Sequence, residues 1–348
     1  MESALKKKPV VTALALFAAL LWGIGYSCTK KGYELFSIAK DDIFDKFVFA
    51  GSRFVLAGLI SLGLAWLVAR KLPKFPVKKT GGVLLFSFFQ TFLQYLTLYI
   101  ALGYMSSAKS SILNQTGVFV LILLSHLIYK SDKFSAVKAI GCVVGFAGIV
   151  AVNFRGLNFE FTFLGEGFIL LSSFSAAIGY IISKKLSAGE DPIALTGWQQ
   201  LIGGALLLIV GLCAGGRLRF TAGIASVGML LFLACSISGA YVLWSLLLKY
   251  NEVSTVTVYK FAVPIFGVIA SVVILREKSI DLVTVLSMIL VSIGIFLVNF
   301  APRLTAILAA RKLKKQTASP VPDEEPKDEV EDTHAEELQP VCDKEDSQ

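Results

Sequence analysis

From position 10 to position 29 the chain carries no aspartate, glutamate, lysine or arginine. A helix of that length spans about 30 Å, the thickness of a bilayer's hydrocarbon core. Further apolar windows follow near 47–69, 80–102, 108–128, 135–153, 164–183, 193–213, 224–248, 254–275 and 281–300. One such window can be a buried helix of a soluble protein, but the whole series cannot be packed as one water-soluble core. Charged residues make up 17% of the chain, against roughly a quarter in soluble domains, and most of them stand between the windows. The pattern predicts an all-α polytopic membrane protein with ten transmembrane helices.

The net charge of +8 does not point to nucleic acid. Lysines and arginines stand at window edges, where they reach headgroups and set orientation, and no basic-aromatic surface pattern occurs. The two histidines, His126 and His334, have no partner set for hydrolytic chemistry. HExxH and Walker A sequences are absent, as is a pair of intramembrane carboxylates. An enzyme or an ATP-driven pump is not expected, nor a cofactor or metal. The five cysteines are scattered without CxxC spacing, which argues against a disulfide framework or a zinc site.

Basic residues cluster in alternate loops: Lys6, Lys7 and Lys8; Arg70, Lys71, Lys74, Lys78 and Lys79; Lys130, Lys133 and Lys138; and the stretch after Pro302. With ten spans this places both termini in the cytoplasm of a cell with a plasma or inner membrane, here read as bacterial. Residues 1–9 form a short N-terminus, whose following apolar run is read as a retained first span rather than a cleaved signal. Residues 301–348 form a basic, then acidic tail without enough apolar content to fold.

Two halves of the sequence repeat. GYSCTKK at 25–31 matches GYIISKK at 179–185. Tyr95, Tyr104 and Asn153 recur as Tyr241, Tyr250 and Asn299, each 146 positions on, and Arg53 aligns with Gln199. Five spans per half is an odd number, so the second half, 164–300, must enter the membrane upside down relative to the first, 10–153. Inverted repeats around a central cavity are a recurring plan of secondary transporters.

The runs ALLWGIGYSCTK at 19–30, SRFVLAGLI at 52–60, VTVYKFAVPIFGVIASVVILREK at 256–278 and GIFLVN at 294–299 resemble the EamA repeat of the drug/metabolite transporter superfamily. The resemblance covers about residues 10–300. It implies a cavity lined mainly by spans one, three, four, six, eight and nine, and export or exchange of amino acids, nucleotide-related metabolites or other small solutes. Three departures stand out. Gly117-Val118-Phe119 occupies the place of a proline, Ser131-Asp132-Lys133 that of a glutamate matching Glu277, and Lys260 that of a small or apolar residue.

A transport path needs polar groups that replace part of a solute's hydration shell. The sequence offers Trp22 and Tyr26 on span one, and Gln90, Gln94 and Tyr95 on span three. Ser111, Asn114 and Gln115 lie on span four, Tyr180 on span six, and Tyr241 and Trp244 on span eight. Helix–helix hydrogen bonding and interfacial aromatic belts are the alternative uses of these residues. Lys260 is the sharpest candidate, because an ammonium inside the membrane would favour a carboxylate or similar group. Thr257, Lys260, Pro264, Gly267 and Ser271 are expected to share one polar face. Lys30 and Lys184 hold matching places in the halves and are gate candidates. Arg53 is expected to pair with a loop acid such as Asp45 or with a helix end, and Lys109 to reach the interface. Gly141, Gly145 and Gly148 allow close helix approach, either within the bundle or in a homodimer. No mid-span carboxylate is evident, which favours facilitated flux or exchange over proton coupling.

These readings give a secondary transporter of small polar metabolites, with a small-molecule substrate and the lipid bilayer as its partners. The rival is a membrane sensor or scaffold acting through its acidic tail. Deleting residues 316–348 separates the two: a transporter keeps its flux in reconstituted vesicles, whereas a tail-dependent adaptor loses function.

Overall fold

The protein is described from a computed structural model that covers residues 4–128, 135–155, 158–187, 189–251, 256–277 and 280–317. The loop triplet Ser131-Asp132-Lys133 and most of the acidic tail lie outside these residues. The chain divides into two compact units, Met1–Thr305 and Ala306–Gln348. All the spans belong to the first; in the second, residues 306–317 are helical.

The described residues contain nine helices long and apolar enough to cross a membrane: Lys8–Leu35, Ile43–Ala69, Val77–Tyr104, Ser107–Leu124, Phe163–Leu186, Pro192–Cys213, Ile224–Leu247, Val258–Leu275 and Leu282–Phe300. A shorter apolar helix, Ala136–Ala151, fills the remaining place as span five. In chain order these are spans one to ten of a multi-pass membrane protein. Span one continues past the charge-free run to Leu35, so Lys30, Lys31 and Glu34 are helical rather than part of a loop. Nothing in that segment breaks the helix, and Lys31 pairs with Glu34 one turn on.

Local chemistry sets several of the ends. Ser106 and Ser135 cap spans four and five by accepting from the N–H of Lys109 and Lys138 at 3.1 and 3.3 Å. Asp191 caps span seven just before Pro192, a residue suited to a first helical turn. Arg70 and Arg276 close spans two and nine in the left-handed conformation, with φ of 53° and 52°. A short antiparallel ladder, Phe154–Arg155 with Asn158–Phe159, joins spans five and six.

Large apolar side chains such as Leu59, Leu67, Val143 and Val273 point outward, as lipid requires. Polar side chains pair inside: Ser61 bonds Ser238 at 2.8 Å and donates to Gln200 at 3.0 Å. A hydrogen bond of this kind between membrane helices contributes about 0.6 kcal/mol.

Spans two and seven approach closely, and glycines there admit the neighbouring backbone. A Cβ on Gly51 would stand 2.4 Å from Leu208 N, and one on Gly58 2.6 Å from Leu201 N. Reciprocally, a Cβ on Gly197 would stand 2.7 Å from Leu62 Cγ, and one on Gly204 2.7 Å from Val55 N. The repeat offset of 146 positions carries Gly51, Val55, Gly58 and Leu62 onto Gly197, Leu201, Gly204 and Leu208. Each contact therefore has its symmetry mate, the mark of a two-fold interface.

Positions rise along span two as their partners fall along span seven, so the two helices are antiparallel. Equivalent helices related by an axis along the membrane normal would be parallel. The axis here lies across them, in the membrane plane, and the halves are inverted. Spans five and ten repeat the arrangement: a Cβ on Gly148 would meet Ser287 O at 2.8 Å, and one on Gly294 would meet Gly141 O at 2.7 Å. The glycine face of span five is thus used within the bundle.

Gly58→Val should lower stability by about 1–3 kcal/mol through overpacking. Gly63→Ala, on the same helix with nothing within 4 Å of the added Cβ, should leave it unchanged or slightly raised. Thermal unfolding of detergent-solubilised protein checks both.

Candidate functional site

The backbone departs from regular α-helix at several points around the bundle centre. Span four breaks between Leu113 and Thr116, so Asn114 and Gln115 sit at a gap between two helical pieces. Span nine opens with a 3-10 turn, Val258–Phe261, before Pro264. Span three holds a π-helical turn at Phe88–Leu93. Spans four and nine are repeat mates, and interrupted helices in corresponding places of two halves mark the binding region of many carriers.

Between them lies a cavity of about 390 Å³, within the size range of small-molecule sites. Trp22, Tyr26, Gln94, Tyr95, Asn114, Gln115, Tyr180, Tyr241 and Lys260 line it, together with Arg53, Lys138 and Lys184. Three candidates stand behind the wall. Gln90 is buried and donates to Gln94 Oε1 at 2.9 Å and to Tyr241 OH at 3.3 Å. Ser111 bonds back to Ala108 O at 2.8 Å and packs against Gly267. The buried Trp244 meets Trp22 edge-on at 5.0 Å.

The expected polar face of span nine is divided. Thr257 and Lys260 line the cavity, while Pro264, Gly267 and Ser271 are buried in helix packing. The break in span four turns Asn114 and Gln115 to the cavity and leaves Ser111 on the packing side.

The repeat brings mates together. Tyr95 OH and Tyr241 OH lie 3.5 Å apart. Asn114 Nδ2 donates to Tyr26 OH at 2.6 Å. In the other half Lys260, 146 positions after Asn114, holds its Nζ 4.0 Å from the ring centre of Tyr180, the mate of Tyr26. The same ammonium lies 5.4 Å from the ring of Trp244 and 5.9 Å from that of Trp22. Ring faces attract a cation, and no acidic side chain pairs with Lys260 among the described residues.

Arg53 also differs from expectation. It is 3% exposed and donates to Tyr99 OH at 2.6 Å, Thr29 Oγ1 at 3.2 Å and Leu233 O at 3.2 Å. Asp45, its expected partner, instead accepts the Arg217 N–H at 2.7 Å and faces the Arg219 guanidinium at 3.7 Å. Span two starts at Ile43 rather than near 47, so eight residues of helix put about 12 Å between Arg53 and Asp45.

The two membrane faces differ. On the face away from the start of span one, Lys30 pairs with Glu277 at 3.2 Å. Glu277 also accepts from the N–H and hydroxyl of Ser107, at 3.0 and 3.3 Å. Lys109 does not reach for the interface; it pairs with Glu166, which also accepts from Thr162 N and Oγ1 at 2.7 Å. Both pairs tie one half to the other. On the face where span one starts, Lys79 pairs with Glu190 at 3.1 Å, again across the halves, and Lys138, Lys184 and Asn299 line the cavity. Of the repeat mates Lys30 and Lys184, the first stands in a cross-half ion pair and the second in the cavity wall.

The sequence matches the EamA-like transporter family over residues 11–154 and again over 163–300. It is 26% identical over 296 residues to the uncharacterized transporter YvbV of Bacillus subtilis, covering 83% of this chain and 91% of that protein. It is 24% identical over 302 residues to a protein of Escherichia coli named "Probable amino-acid metabolite efflux pump", covering 83% and 95%. One solved crystal structure aligns with 88% of this chain and 100% of its own at a TM-score of 0.62 and 16% identity, a likeness of fold. With one match on each inverted half, the chain belongs to the EamA-like transporter family.

Proposed function

We propose that this protein is a secondary carrier of small polar metabolites, in the range of amino acids and nucleotide-related solutes, that works by alternating access between its inverted halves. The observation that carries this reading is the cavity at the meeting of repeat-related residues, with Lys30–Glu277 and Lys109–Glu166 joining the halves on one membrane face and Lys79–Glu190 on the other. Two similar halves can exchange conformations, which moves the seal from one face to the other. The relative named for amino-acid metabolite efflux supports the solute class. Aromatic rings and amides around the cavity suit an amphipathic solute, because rings stack while amides orient polar atoms. Both termini are assigned to the cytoplasmic side from the loop charges.

In proteoliposome counterflow, Lys260→Ala should abolish flux while insertion and folding stay normal, and a pH gradient should change the wild-type rate little. Unchanged kinetics in the variant would remove Lys260 from the path.

The far-face pairs make a second prediction. Glu277→Gln removes the charge that holds Lys30 and weakens the tie to Ser107, and breaking one partner of a partly buried pair is costly. Reactivity of a cysteine placed at Thr29 toward an impermeant maleimide, added from that face, should rise several-fold. An unaltered rate means that the Lys30–Glu277 pair does not seal the cavity.

A further inference from the structure

The cavity's charge balance has one sign. Its described lining includes Arg53, Lys138, Lys184 and Lys260 and no aspartate or glutamate. Cations inside a membrane are costly unless paired, and two of these have no carboxylate among the described residues. Lys260 rests on aromatic faces, which attract its charge without neutralising it. Arg53 is held by neutral acceptors through Nε and Nη1, while no described residue accepts a hydrogen bond from its Nη2. That nitrogen comes 3.9 Å from where a Cβ on Gly25 would stand, beside another residue of the cavity wall.

Building on the carrier reading, we propose that the transported solute is an organic anion whose carboxylate or phosphate is received by Arg53 and Lys260. A guanidinium fixed by three hydrogen bonds is already oriented for an oxyanion, and a planar fork suits that geometry better than an ammonium does. Lys260 supplies the second charge from the part of span nine near the face where span one starts. The repeat explains why the site is one-sided in charge rather than in shape. The mate of Lys260 is the neutral Asn114, and the mate of Arg53 is Gln199, which is spent on accepting from Thr91. Leu98, Leu121, Ile122 and Val263 line the same cavity and favour an anion with an apolar or aromatic body.

The test loads proteoliposomes with an isotope-labelled bacterial metabolite extract and identifies what leaves, sorted by net charge. Wild-type vesicles should release net-negative solutes, and Arg53→Gln and Lys260→Gln should each slow that release by about tenfold or more. Should Arg53→Gln fail to fold, Arg53→Lys, which keeps the charge but not the fork, and Lys260→Gln decide the matter, with folding judged by monodisperse elution. Release of mainly neutral, zwitterionic or cationic solutes overturns the anion assignment and leaves the carrier standing. Anion release at wild-type rates from both Lys260→Gln and the folded Arg53 variant overturns it as well. If wild-type vesicles release nothing beyond empty controls, the carrier reading falls and the anion site with it.

Discussion

The antiparallel contact between spans two and seven is the constraint on which the rest of the molecule depends. Lipid chains are as apolar as leucine, so helices in a membrane gain little from burying apolar surface against one another. What holds them is close packing, and the paired glycines permit it from both sides of the interface at once. Because each contact is repeated by its symmetry mate, the halves are locked to a two-fold axis in the membrane plane. The seam between spans five and ten obeys the same axis. The cavity forms where symmetry mates meet, and the Tyr95–Tyr241 contact is its clearest sign.

Against that symmetric frame the polar residues are unequal. Asn114 faces Tyr26 with an amide, where Lys260 faces Tyr180 with an ammonium. Arg53 reaches the cavity, whereas Gln199 serves packing. Lys30 joins a carboxylate at one face, and Lys184 lines the cavity near the other. The frame is shared by both halves, and the substitutions within it give the cavity its charge.

Much of this was legible in the sequence, for identifiable reasons. Spans announce themselves because a charge in hydrocarbon is costly, so each crossing leaves a gap in the charge pattern. The repeat was legible because spacing between tyrosines and asparagines survives where the residues between them have changed. Arg53 departs from expectation because Asp45, expected in the loop before span two, belongs to the helix itself, which starts at Ile43 and sets the two residues eight positions apart. Ser111 was misplaced because a broken helix does not keep the 3.6-residue phase, and nothing in Leu113-Asn114-Gln115-Thr116 marks the break. Lys109 departs from expectation because Glu166, its partner, comes from the opposite half, 57 positions on.

The π-helical turn of span three carries a consequence for energetics. It fits one more residue into its turn than an α-helix would, which shifts the phase of everything after Leu93, including Gln94 and Tyr95. Span eight, its repeat mate, is continuous α-helix from Ile224 to Tyr250. Exchanging the two halves' conformations therefore cannot regenerate the same arrangement seen from the other side. On the alternating-access reading proposed above, such near-twins would give the carrier end states of different free energy and a preferred resting side when no cargo is bound.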